Sequence, residues 1–118
     1  AAALAVQGDR FLLRRALGNL LENAIEFSAP GSRIALRGER VGDRVRLSVE
    51  DQGSGVPDYA LARVFERFYS LPRPHGGQRS SGLGLPFVRE VARLHGGEAA
   101  LANRDGGGAI ATLLLPVA

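Results

Sequence analysis

The sequence contains no cysteine, no lysine and no run of about 18 apolar residues. The first absence excludes disulfides and thiolate metal sites, and it fits a reducing compartment. The second excludes a phosphate loop built on lysine and any lysine Schiff base. The third excludes a membrane-spanning helix. The opening Ala1-Ala2-Ala3-Leu4-Ala5-Val6 is too short for a secretory signal and has no basic flank. All 15 cationic side chains are arginine, and against 12 acidic residues they leave a formal net charge of +3. They are spread from Arg10 to Arg104 without a dense block, so they read as a mildly basic, solvated surface rather than a nucleic-acid face.

What is present fits one domain. The chain has 118 residues and is 45% hydrophobic, enough to fill a single core. Residues 3–7 suggest a short opening strand. Asp9 is placed to cap a helix from Arg10 to Phe27, where Leu13, Leu17, Leu20, Leu21, Ala24 and Phe27 recur at helical spacing. Ser28-Ala29-Pro30-Gly31 stops it. Residues 33–40 and 44–50 alternate apolar and polar about a Gly42-Asp43 turn, the pattern of a hairpin. Residues 58–68 read as a short helix and 70–81 as a mobile loop. A second amphipathic helix is expected over 82–95, with Pro86 in its first turn. Residues 98–103 and 109–115 form a closing hairpin. The element order predicts an α+β fold, a two-layer sandwich with a mixed sheet of about five strands and helices on one face.

Three polar features stand out against this frame. Asn19 and Asn23 are one helical turn apart among leucines. They read either as a solvent-facing pair or as oxygen ligands for Mg²⁺, which keeps several waters while bridging to phosphates. Asp51 continues the inward stripe of Val45, Leu47 and Val49, and a carboxylate buried without a partner is costly. The Gly53-Ser54-Gly55 run after it is either an ordinary turn or a place where backbone approaches a ligand closely. Ser80-Ser81-Gly82-Leu83-Gly84-Leu85 opens a helix, where free N–H groups favour phosphate. The dinucleotide fingerprint fails here, because its third glycine would stand at Phe87.

Taken in order, these segments resemble the Bergerat-type ATPases, the superfamily of histidine kinases, gyrase-type enzymes and mismatch-repair ATPases. Leu17-Gly18-Asn19-Leu20-Leu21-Glu22-Asn23-Ala24-Ile25 resembles the N box, and the segment from Asp51 to Pro57 the first glycine box. Ser81-Gly82-Leu83-Gly84-Leu85 resembles the second glycine box. Val64-Phe65-Glu66-Arg67-Phe68-Tyr69 is similar to the F box of sensor histidine kinases.

The resemblance implies a Bergerat fold with a flexible ATP lid over 70–81, and ATP and Mg²⁺ as ligands. By that likeness Asp51 would accept from the adenine amino group, with Gly53 and Gly55 making room for the base and Phe27 packing near it. Asn23 would hold Mg²⁺, and Asn19 would sit near the phosphates, with Glu22 helping to polarise the reaction. Ser81, Gly82, Leu83 and Gly84 would lie by the phosphates, and Arg67 or Arg79 would bring positive charge. Glu26 stands where many relatives carry a phosphate-facing lysine, so it is expected to point outward or pair with an arginine. Ser80 replaces a common glycine, and the lid is short.

The likeness also implies a cytoplasmic domain of a membrane-anchored bacterial sensor kinase. The phosphoryl group would pass to a histidine on a separate dimerisation domain, and from there to a response regulator. His75 and His95 are expected to be structural, so the chain would bind ATP as a monomer without phosphorylating itself. The alternative is a regulatory switch or serine kinase of the same superfamily that acts mainly by binding a protein.

Overall fold

Helix α1, Arg10–Phe27, starts where Asp9 turns extended and its Oδ1 accepts from the Leu12 amide at 2.9 Å. This side chain satisfies one of the donors a helix start leaves free. Ala16, Leu20 and Ala24, four apart, form the buried ridge of α1. The helix ends at Ser28, which is extended while its amide still donates to the Ala24 carbonyl at 3.0 Å. These coordinates come from a computed structural model, which describes residues 4–66 and 84–118.

The sheet follows from two hairpins. Strands β1, Ala35–Val41, and β2, Arg44–Glu50, pair from Val41↔Arg44 to Ala35↔Glu50, leaving Gly42 and Asp43 as a two-residue turn. Gly42 has φ of 64°, the left-handed region such a turn requires. Strands β3, Glu98–Asn103, and β4, Ala109–Pro116, form the closing hairpin, and β4 inserts between β3 and β2. The order is β1-β2-β4-β3, with every pairing antiparallel.

One face of this sheet carries Val45, Val49, Ala111, Leu113 and Leu115, all buried. Helix α1 and helix α3, described over Gly84–Leu94, cover that face with Leu20, Val88 and Val91. Burying each such aliphatic side chain contributes about 1.5–3 kcal/mol, which makes this seam the main source of stability. The opposite face carries ion pairs between Arg46 and Glu39 and between Arg37 and Glu50. Helix α3 ends in a Schellman arrangement: Gly96 has φ of 73°, and the Gly97 amide reaches back to the Ala92 carbonyl at 2.8 Å.

The fold is the expected α+β two-layer sandwich, with three differences of detail. Four strands are present among the described residues, not five, and the sheet is antiparallel rather than mixed. Among the described residues, the segment expected as an opening strand makes one backbone bond, from the Ala118 amide to the Ala5 carbonyl, too few for a ladder. There Leu4 lies over Gly38, and Val6 packs on the core. Helix α2 spans only Asp58–Leu61. Beyond it the chain tightens into turns, with the Arg63 amide on the Ala60 carbonyl and the Glu66 amide on the Arg63 carbonyl. Its start has no side-chain cap, and among the described residues of this stretch only Ala60 and Val64 are buried, too little to extend a helix whose nucleus is costly.

Candidate functional site

Asp51 follows the last residue of β2, and period two turns it inward as the sequence pattern requires. It is 5% exposed. Its Oδ1 accepts from the Gly53 amide at 2.9 Å and from the Ala109 amide at 3.2 Å. Its Oδ2 accepts from none of the described residues. A carboxyl group can be buried at this depth because two backbone donors replace water on one oxygen. The second oxygen keeps its lone pairs for a donor from outside.

Glycine is required at the turn that follows. A Cβ at Gly53 would stand 2.1 Å from the Phe27 carbonyl oxygen, so the loop rests directly on the last turn of α1. Asn23 lies one turn before Phe27, and Asn19 one turn before that. Both are half-buried on a single flank of the helix. The Asn19 amide donates to the Gly84 carbonyl at the described start of α3, at 3.3 Å. The Asn23 amide makes no hydrogen bond with the described residues. The flank Asn19–Asn23–Phe27 is therefore bracketed by the Asp51–Gly53 turn at one end and by Gly84 at the other. Glu22 and Glu26 are exposed on α1. Arg67, Arg79, Ser81, Gly82 and Leu83, the expected lid and His75 lie outside the described residues.

Sequence reasoning missed the closing hairpin's part in this site. The Asn103 side chain accepts from the Val56 amide and donates to the Val56 carbonyl, both at 2.7 Å. Arg104 Nη1 donates to the Asp51 carbonyl at 3.0 Å, and a Cβ at Gly108 would stand 2.0 Å from that same oxygen. Asn103 read only as the end of a strand and Arg104–Gly108 only as a turn, since contacts spanning 47 and 53 positions leave no periodic trace.

His95 is a structural residue in this geometry. Its Nδ1 lies 2.7 Å from the Val91 carbonyl, and its Nε2 accepts from the Asp9 amide at 3.0 Å. With Nε2 accepting from an amide, Nδ1 is the nitrogen that donates to the Val91 carbonyl. Among the described residues no three His, Cys, Asp or Glu side chains form a metal cluster. A mostly apolar groove of about 500 Å³, lined by Leu13, Leu17, Leu47 and Leu113, opens on the other flank of α1. It contains none of the expected site residues.

Over residues 8–118 the chain matches the family of histidine kinase-, DNA gyrase B- and HSP90-like ATPases, and it belongs to that family. Within it, the similarity is to sensor kinases. The chain is 56% identical over 110 residues to the sensor protein CreC of Escherichia coli strain K12, covering 93% of this chain and 23% of that protein. The mycobacterial sensor histidine kinase MprB superposes with a TM-score of 0.83 at 34% identity, over 95% of this chain and 74% of that one. Full-length ShkA in complex with AMPPNP superposes with a TM-score of 0.80 at 32% identity, over 98% of this chain and 24% of that one. The chain thus spans less than a quarter of the length of the curated relative CreC. No helix among the described residues is long and apolar enough to cross a membrane.

Proposed function

We propose that the chain is the ATP-binding catalytic domain of a two-component sensor histidine kinase, passing the γ-phosphoryl group of ATP to a histidine on a separate dimerisation domain. A response regulator would receive the group next, and the domain would work on the cytoplasmic side of the membrane. The observation that carries this reading is Asp51, buried, with one oxygen taking two backbone donors and the other taking none among the described residues. An acceptor fixed in that way matches the amino group of adenine and disfavours guanine, which presents a carbonyl there. Gly53 and Gly55 let the loop sit close, Gly53 against the Phe27 carbonyl and Gly55 against the Asn103 side chain, and Phe27 would flank the base. The family relationship to sensor kinases favours this reading over a binding-only switch.

The residues present fit a magnesium ion bound with the nucleotide. Asn23 offers a half-buried amide oxygen without a partner among the described residues, and Mg²⁺ commonly takes one or two protein oxygens while keeping waters and phosphates. The ion would neutralise charge on the phosphate oxygens. Asn19 holds Gly84, at the described start of α3, against α1, and Ser81, Gly82, Leu83 and Gly84 would lie by the phosphates. Arg67 or Arg79 would add positive charge, and Glu22 would face the acceptor. Phosphoryl transfer depends mainly on positioning and charge neutralisation, so no covalent protein group is needed.

Titration calorimetry with ADP and AMPPNP, with and without Mg²⁺, tests the reading. Asp51→Ala should weaken ADP binding by about 1.5–3 kcal/mol, roughly ten- to over a hundred-fold. Asn23→Ala should leave Mg²⁺-free binding intact and remove the gain that Mg²⁺ brings. Unchanged ADP affinity in Asp51→Ala would end the adenine assignment.

A further inference from the structure

The loop that would receive the base is held at both ends by one hairpin. At its start, Asp51 is fixed through Ala109, which takes the carboxylate on its amide, and through Arg104, which takes the carbonyl. Five residues on, Val56 is gripped by Asn103 through its amide and its carbonyl together. A carboxamide offers one acceptor and one donor side by side, so it closes the ring a neighbouring strand would close. Gly55 shows how tight the grip is. Its φ is 77°, and a Cβ there would stand 2.8 Å from Asn103 Oδ1.

We propose that Asn103 is a positioning residue for the purine site, setting base selectivity through Val56. The inference rests on the nucleotide reading above. Asp51 Oδ2 discriminates an amino group from a carbonyl only if the opposite wall of the loop holds the base edge in register with it. That wall is the stretch from Gly53 to Val56, and within the described structure its far anchor is the Asn103 carboxamide. Slackening the anchor leaves the carboxylate in place but lets the base shift, so adenine loses its advantage over guanine. Asn103 is itself exposed at a strand end, so its removal leaves the core untouched.

The test is ADP and GDP titration of the intact chain carrying Asn103→Ala, with amide exchange followed at Val56. ADP affinity should fall by about five- to tenfold, as expected for one to two weakened hydrogen bonds. GDP affinity should change less, so the ratio of the two narrows. The Val56 amide should exchange faster while the Ala109 amide keeps its protection. Ala100→Gly, on the same strand and away from the loop, should lower the melting temperature without altering the ratio. An unchanged ADP-to-GDP ratio in Asn103→Ala would overturn the proposal, as would an equal narrowing in Ala100→Gly. Asp51→Ala serves as the separate control: if it binds ADP normally, the purine site itself is refuted, and this inference goes with it.

Discussion

Removing a carboxylate from water costs several kcal/mol, and among the described residues Asp51 recovers this with main-chain donors rather than with a cation. The choice matters chemically, because an arginine partner would have occupied both oxygens. The arrangement depends on Gly53 for space and not for a left-handed backbone, since what a side chain would meet there is the Phe27 carbonyl. Gly53→Ala must therefore lift the loop from α1 or strain it, at a cost typical of overpacking, about 1–3 kcal/mol. We expect ADP affinity to drop about tenfold or more by calorimetry, with the core melting cooperatively as before; retained affinity would show that the loop's seat on α1 is irrelevant. Asp51 was legible in the sequence because period two is strict along a strand. Asn103 was not, because a side chain gripping a distant backbone follows no period.

Helices and hairpins that carry their own punctuation were readable in advance. Asp9 before α1, Gly42-Asp43 between β1 and β2, and Gly96-Gly97 after α3 each act within a few residues, and each does what its chemistry requires. Elements that depend on distant partners were misread. The opening segment has strand-like composition but finds a single backbone bond and no ladder among the described residues, and the region after Leu61 has too little burial there to continue the helix. The same reasoning predicts what Asp9→Ala should do. Its side chain satisfies the Leu12 amide, so loss of the cap should cost about 1 kcal/mol in urea unfolding with the slope unchanged. The bond from the Asp9 amide to His95 belongs to the backbone and should survive. A change below a few tenths of a kcal/mol would mean that water replaces the cap at no cost.

At the scale of the molecule, α1 and α3 are clasped at both ends, by Asn19 on the Gly84 carbonyl and by His95 on the Asp9 amide. The second clasp bears on where a phosphoryl group can go. To accept one, an imidazole needs a nitrogen lone pair open to attack. His95 commits Nε2 to an amide and Nδ1 to a carbonyl, so phosphorylating it would break the joint between the two helices. On the proposed function, which puts the acceptor histidine on another domain, His95 is a joint between helices and not that acceptor. Incubated with Mg²⁺ and labelled ATP, the chain alone should acquire no acid-labile phosphate. Adding the helical, histidine-bearing domain of a related sensor kinase in trans should label that domain, and Asp51→Ala should abolish the transfer. His95→Gln should leave the transfer intact, apart from a loss of stability. Label appearing on the chain itself and disappearing in His95→Gln would refute this division of labour, because the histidine that joins α1 to α3 would then also be the phosphate acceptor.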